Sequence, residues 1–421
     1  MSRLTASTDA LVWATGIEDT FIAETTPDKR RLDEYELQQH YRLWREDFDL
    51  AADVGFSMIR YGIPWYRLEP EPGRFDWSFT DRVIPYMQEC GLEPIVDLMH
   101  YGTPLWLEGS FISPEYPERV ARYAAAFCSR YPSVGYYTPF NEPFIAAELC
   151  GREGRWPPGL SGDDGFCAVA NGVSRGVVRT VEALRAQRAD SVMVHVEATG
   201  VVLTDEPELK ERAQLDMDRH LTTLELILGR VSTTHFLYPY LIANGVSDDD
   251  LGWYEESNVL IDVLGLNYYP MLSIERRHAD GLVEPVWGGT HYFERIIHEH
   301  LARYKVPIFI TETSANERAA PMFSAAQTKA SYDHTRPDGL RSLWLTEVVQ
   351  SVKRMRAAGV PLIGLTWWPL YDLVNWDYRE GGGPVEDYLE PMGLYSLAMH
   401  DGVLKREPLP VARELKSLIG G

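Results

Sequence analysis

Two glutamates of this 421-residue chain stand in short, distinctive contexts. Glu142 lies in Thr138-Pro139-Phe140-Asn141-Glu142-Pro143 and Glu312 in Ile310-Thr311-Glu312-Thr313, each just after a strand-like apolar run. A carboxylate placed directly behind Val306-Pro307-Ile308-Phe309-Ile310-Thr311 is costly to bury unless it is paired. A carboxylic acid and a carboxylate sharing one pocket can divide two tasks. One protonates a leaving oxygen, and the other attacks or stabilises the carbon left behind, as cleavage of a glycosidic bond requires.

The elements that must position such a pair alternate along the chain. Apolar runs read as strands at Leu11–Gly16, Phe56–Trp65, Leu92–Met99, Val134–Phe140, Ser191–Val196, Val259–Leu266, Val306–Ile310 and Pro361–Thr366. Between them, 3.6-residue periodicity predicts helices over Tyr35–Val54, Thr80–Glu89, Glu115–Arg130, Ala168–Ala189, Glu206–Leu228, His291–Tyr304 and Leu340–Ala358, with a last one at Val411–Leu418. Eight apolar strands joined by helical crossovers imply a parallel sheet covered by helices, and eight is the number that closes into a (β/α)8 barrel. An open doubly wound sheet competes, but no G-x-G-x-x-G follows the first strand. No change of composition marks a linker, so residues 1–421 read as a single (β/α)8, or TIM, barrel domain with extended βα loops. The stretches Gly151–Gly165 and Arg276–Trp287 read as long loops after strands four and six.

Chemistry in such a barrel sits at the C-terminal strand ends. Those ends carry Arg60, His100-Tyr101, Asn141-Glu142, His195 and Glu197, Asn267 and Tyr269, Thr311-Glu312 and Trp367-Trp368. Each alone has a plain structural reading: Arg60 as an ion-pair partner, His100 as a hydrogen-bonded core histidine, Asn267 and Tyr269 as strand terminators, the tryptophans as core. The joint pattern of apolar strand bodies and polar or aromatic ends is not needed for stability and points to a site. Strands four and seven lie on opposite sides of an eight-stranded barrel, so Glu142 and Glu312 are expected to face each other across its mouth. Arg60 beside one of them would hold it ionised and lower its pKa, while apolar surroundings would keep the other protonated. Glu312 is then the nucleophile and Glu142 the acid that later becomes the base. Asn141 can donate to a sugar hydroxyl, and Tyr269 can hydrogen-bond the nucleophile.

These motifs resemble glycoside hydrolase family 1, the retaining β-glucosidase and β-galactosidase family, over nearly the whole chain. His40 to Asp47, Val54-Gly55-Phe56 and Ile59-Arg60-Tyr61 look like its first helix and second strand. His100-Tyr101-Gly102-Thr103-Pro104 is similar to H-W-x-x-P, and Thr138 to Pro143 to T-F-N-E-P. Gly265 to Tyr269 is similar to G-x-N-Y-Y, Ile310 to Thr313 to I-T-E-N, and Trp368 to Trp376 to W-S-L-x-D-N-F-E-W. The resemblance implies Glu142 as acid/base, Glu312 as nucleophile, and Arg60, Asn267 and Tyr269 as their support. It implies His100, Asn141, Trp368 and Trp376 as sugar contacts, with no cofactor and no metal. The departures fall among sugar contacts. Ala14 to Asp19 lacks the family's sugar-clamping Gln, leaving Glu18 either for that task or for a structural one. Asn375 stands where the family has a sugar-binding Glu, Tyr101 replaces a Trp, and Thr313 follows the nucleophile in place of Asn. For His195 and Glu197 a structural pair or loop anchor is favoured.

Composition narrows the partners. With 62 acidic against 40 basic residues and a net charge of −22, nucleic acid and anionic membranes are disfavoured. No run approaches a membrane span, and the polar stretch Met1 to Ala10 has no apolar h-region. Cys90, Cys128, Cys150 and Cys167 show no C-x-x-C pattern and read as free thiols, hence a cytoplasmic protein. The expected activity is that of a retaining exo-β-glycosidase on small carbohydrate substrates. The alternatives are a transglycosidase or 6-phospho-β-glycosidase using the same pair, or a non-catalytic sugar-binding barrel. The phosphate variant needs a cationic clamp near strand eight, where Arg379 is the only basic residue. Oligomeric state has no signature here.

Overall fold

A computed structural model describes Leu4 and residues 10–257, 259–323 and 332–420; of the polar stretch 1–10, all but Leu4 and Ala10 lie outside the described residues. Eight parallel strands form a closed barrel: β1 (Val12–Gly16), β2 (Met58–Gly62), β3 (Glu93–Asp97), β4 (Tyr136–Thr138), β5 (Val192–Ala198), β6 (Val263–Asn267), β7 (Ile308–Thr313) and β8 (Leu362–Trp367). Neighbours follow chain order, and β1 closes the ring against β2 and β8, with Gly16 opposite Arg60 and Thr15 opposite Trp367. The closed ring excludes the open doubly wound sheet.

The barrel interior explains why the site sits where it does. Ala14, Met58, Ile95, Tyr136, Val194, Val263, Phe309 and Ile363, one from each strand, pack with Leu4 as an inner apolar cluster. Side chains alternate along a strand, so the residue two places on shares the same face. From Met58, Ile95 and Phe309 that step reaches Arg60, Asp97 and Thr311. The inner face thus turns from apolar to polar at the C-terminal mouth. On β7 the register slips between Ile310 and Glu312 against β6, and between Ile310 and Thr313 against β8. Such bulges re-aim side chains, and here Glu312 lands beside Asn267 of β6.

Helices cover the outer face, including His40–Val54, Tyr116–Arg130, Gly289–Tyr304 and Gly339–Ala357. Several differ from their sequence reading. The helix predicted over Tyr35–Val54 is two: Glu34–Leu37, capped by Asp33, and His40–Val54, separated at Gln39 with φ 61. The long helix predicted over Glu206–Leu228 breaks into Pro207–Leu209, Lys210–Arg219 and Thr222–Ile227. The break falls where the His220 ring stacks on Phe144 at 3.9 Å. The helix read as Ala168–Ala189 begins at Gly162, with Asp163 and Asp164 in its first turn, a favourable place for negative charge. Arg276–Trp287 is not a plain loop: Ile274–Arg277 and Val283–Pro285 pair with each other, and the former with Val201–Leu203. Helices Tyr238–Ala243 and Asp248–Ser257 and the hairpin Tyr395–His400 with Val403–Pro408 were not anticipated. Among the described residues no helix is long and apolar enough to cross a membrane.

Candidate active site

A cavity of about 580 Å³ opens at the C-terminal mouth of the barrel, a size suited to a small ligand. Glu142 and Glu312 both line it, and only 8% and 5% of their surfaces are exposed. Along the ring β4 and β7 are separated by β5 and β6, so the two glutamates meet across the mouth from strands three steps apart.

Glu142 leaves the end of β4 in a sharp turn. Its backbone is left-handed (φ 47), its amide donates to Val196 O at 3.0 Å, and it precedes the short helix Pro143–Ala146. A non-glycine residue in this conformation is strained, and such strain concentrates at functional sites. Tyr101, at the end of β3, is also left-handed (φ 72). Asn267 Nδ2 donates to Glu142 Oε1 at 2.8 Å, and the Tyr101 hydroxyl donates to Glu142 Oε2. Both partners are neutral. Burial first, and then the nearby Glu312 charge, raise the Glu142 carboxyl from 4.5 to about 8.

Glu312 is held differently. Arg60 Nη1 donates to its Oε1 at 2.6 Å, and the Tyr269 hydroxyl to its Oε2 at 2.8 Å. Burial raises this carboxyl too, while Arg60 and His100 pull it down; the balance stays above the usual value. The lowering expected from Arg60 is therefore present but outweighed by desolvation. A guanidinium thus supports one acid, and neutral donors support the other.

Arg60 is fully buried, and both ends of its fork are used. Nη1 also donates to Thr311 O at 3.1 Å, and Nη2 donates to Asp97 Oδ2 at 2.6 Å and Asn141 Oδ1 at 2.8 Å. This fixes the Asn141 carbonyl toward Arg60. Its NH2 group accordingly donates to Tyr101 OH at 3.1 Å and lies 3.0 Å from His100 Nε2. Asn141 lines the cavity, yet its amide is already engaged in holding the site together. His100 Nδ1 lies 2.8 Å from Asp19 Oδ1. Asp19, Asp97 and His100 form the one cluster of potential metal ligands among the described residues. Within it, Asp97 Oδ2 accepts from Arg60 Nη2 at 2.6 Å and lies 3.8 Å from His100 Nδ1.

The remaining predicted contacts divide into two sets. Glu18, His100, Tyr101, Asn375 and Trp376 line the cavity, as does Tyr269. Trp368 is buried behind the wall, its Nε1 donating to Glu18 Oε2 at 3.0 Å and its ring 4.8 Å from the Arg60 guanidinium. Glu18 is therefore placed by Trp368 and by Thr20, whose hydroxyl donates to it at 2.7 Å. His195 Nε2 lies 3.3 Å from Glu197 Oε2, and Glu197 is the loop anchor: it accepts from Phe144 N at 3.0 Å and Thr223 Oγ1 at 2.9 Å, pinning the backbone just after Glu142. Thr313 accepts from Trp344 Nε1 at 2.9 Å, so it faces the helix Gly339–Ala357. Arg379 is buried, with Nη1 on the carbonyls of Glu24 and Arg30, and forms no clamp in the cavity. Asp19, Asp97 and Glu390 were missed. Asp97 could have been found from its place at a strand end; Glu390 lies in Leu389-Glu390-Pro391, where no motif marks it.

The sequence profile of glycosyl hydrolase family 1 matches residues 14–283. The chain belongs to that family. The matched segment holds Arg60, Glu142 and Asn267, while Glu312 and the Trp368–Trp376 stretch lie beyond it. Among curated relatives, a bifunctional β-D-glucosidase/β-D-fucosidase of Bifidobacterium breve is 26% identical over 80% of this chain and 80% of its own. An aryl-phospho-β-D-glucosidase of Bacillus subtilis is 24% identical over 80% of this chain and 76% of its own. The likeness of fold covers more of the chain than the sequence profile does. A β-glucosidase from Thermotoga maritima, solved with a methoxycarbonyl-substituted glucoimidazole, superposes with a TM-score of 0.79 at 19% identity, covering 99% of both chains. The family 1 chain described here is thus a glycosidase built on the (β/α)8 barrel.

Proposed function

We propose that residues 1–421 act as one barrel domain that hydrolyses small β-glycosides from the non-reducing end, with retention of configuration. The observation that carries this reading is the pairing of two buried carboxyls in one cavity with opposite support: Arg60 and Tyr269 on Glu312, neutral donors on Glu142. In the first step Glu142 gives its proton to the glycosidic oxygen while a Glu312 oxygen bonds to the anomeric carbon. The carbon–oxygen bond breaks, and the aglycone leaves as an alcohol. Glu142, now a carboxylate, next takes a proton from water whose oxygen attacks the same carbon, and Glu312 is released. Arg60 and Tyr269 compensate the charge that returns to Glu312. His100, Asn141, Glu18, Tyr101, Trp376 and Asn375 line or brace the space for the sugar.

Partners follow from the same reading: small carbohydrates or glycosides rather than nucleic acid, which the net charge of −22 disfavours. Free Cys90, Cys128, Cys150 and Cys167 suit a reducing, cytoplasmic setting. The test is hydrolysis of aryl β-glycosides by wild type and Glu312→Ala. Wild type should turn over at least one and label Glu312 with a 2-fluoro glycoside, and the variant should lose several orders of magnitude in kcat. Equal rates in the two proteins, or release of the inverted anomer by NMR, would overturn the assignment.

A further inference from the structure

The wall of the cavity at Asn375 contains a carboxylate that no motif assigns. Glu390 lies in the two-residue strand Leu389–Glu390, which pairs antiparallel with Leu373–Val374 so that Leu373 opposes Glu390. This brings it beside Asn375, which follows Val374 directly. Glu390, Asn375, Trp376 and Asn316 all line the cavity, and Glu390 is only 8% exposed.

The hydrogen bonds assign different tasks to the two neighbours. Asn375 Oδ1 accepts from Asp377 N at 2.8 Å, capping the turn Trp376–Arg379, and its Nδ2 donates to Glu390 Oε1 at 2.9 Å. The Asn375 amide is therefore committed at both ends. Glu390 Oε2 accepts from Asn316 Nδ2 at 2.5 Å, and its Oε1 also lies 3.5 Å from Arg318 Nη1. A carboxylate offers about four acceptor positions, so these contacts fix its orientation and leave capacity toward the cavity.

We propose that Glu390 is the residue that reads the sugar at this wall, accepting hydrogen bonds from glycone hydroxyls and excluding a phosphorylated sugar by its charge. The inference rests on the glycosidase reading of the cavity. Hydroxyls donate well to an ionised acceptor, and a buried carboxylate rejects a second anion in a low-dielectric wall. The carboxylate that the family pattern places at position 375 is supplied here by a neighbouring strand, and Asn375 becomes its positioning residue.

The experiment measures kcat/KM for an aryl β-glucoside, its monodeoxy analogues and its 6-phosphate with wild type, Glu390→Gln and Glu390→Ala, with thermal melting of each protein. Wild type should lose roughly 10- to 100-fold when the hydroxyl facing Glu390 is removed. In both variants that penalty should shrink by about 10-fold or more. The ratio of phosphorylated to unphosphorylated turnover should rise at least about 10-fold in the variants. Uniform loss across all deoxy analogues, with the phosphate ratio unchanged, would overturn the proposal and leave Glu390 as a structural brace. The isosteric Gln variant keeps the test valid if the Ala variant does not fold. Failure of wild type to cleave any glycoside would overturn the functional reading itself, a result visible before any variant is made.

Discussion

The Tyr101 hydroxyl donates to Oε2 of Glu142, and both residues adopt left-handed backbone conformations, with φ 72 and 47. The site thus spends backbone strain to bring a phenol onto the acid, at a position where the family pattern has a Trp. A donor to a carboxylate favours its ionised form, and this contact lowers the Glu142 pKa against the larger effects of burial and Glu312. Tyr101→Phe should therefore move the alkaline limb of the kcat/KM profile to higher pH. The step in which Glu142 acts as carboxylate should slow by about 10-fold, the loss expected for one such bond. A pH–rate profile from acid to alkaline buffer reads both; an alkaline limb that stays put or moves down would show that the hydroxyl does not bond this acid.

Glu142 also ties stability to pH. Its carboxyl is raised from 4.5 to about 8 in the folded chain by burial and the Glu312 charge. Between those values the folded protein holds a proton that the unfolded chain has released. Its stabilising contribution is complete below the unfolded pKa and is lost as pH rises through the folded one. Glu142→Gln removes that dependence. The variant should gain on wild type by roughly 1–3 kcal/mol between pH 5 and pH 8 and then run parallel to it. Urea unfolding at four pH values would measure the gap, and a constant difference would mean that this carboxyl titrates at its ordinary value.

The barrel and its two glutamates were readable in the chain because apolar strand bodies with polar ends are a local pattern. Met58 to Arg60 and Phe309 to Thr311 are two-residue steps, short enough for sequence to record. What escaped was set by tertiary contact. Trp368 matches a motif but stands behind the wall, because its indole is used on Glu18. Asn141 carries a free-looking amide that Arg60 and Tyr101 occupy. Glu390 reaches the cavity through a two-residue strand pairing, too short for any periodicity. The hairpin around Asp401-Gly402 had a usable signal: both residues have positive φ, 49 and 78, as a type I′ turn requires, and Asp-Gly is a preferred pair for it.

Gly16 tests how closely the floor of the site is packed. A Cβ there would lie 2.0 Å from the Trp368 ring, and that ring fixes Glu18 and stacks over Arg60. Gly16→Ala should displace the indole, costing about 1–3 kcal/mol of stability, and weaken substrate binding through Glu18. Chemical denaturation together with KM for an aryl glycoside reads both effects. Wild-type values in the variant would mean that the indole can move aside without disturbing Glu18.

Arg60 is the residue on which the two halves of the site converge, since one guanidinium serves Glu312, Thr311 O, Asp97 and Asn141. Lysine keeps the charge but is a single point of donors and cannot reproduce a planar fork. In Arg60→Lys, Glu312 should lose part of the cation that opposes its burial, so its pKa rises and the acidic limb of kcat/KM moves to higher pH. The rate at the optimum should fall on the order of 100-fold, as for loss of a positioned charge at a reacting group. Arg60→Met should go further. Asp97 and Glu312 would both be left buried without a cation, at about 3–5 kcal/mol of folding free energy. The two variants separate charge from geometry: a lysine variant with an unshifted acidic limb but a depressed rate would show that Arg60 acts by placing Glu312 and Asn141, and that its charge is balanced by Asp97 alone.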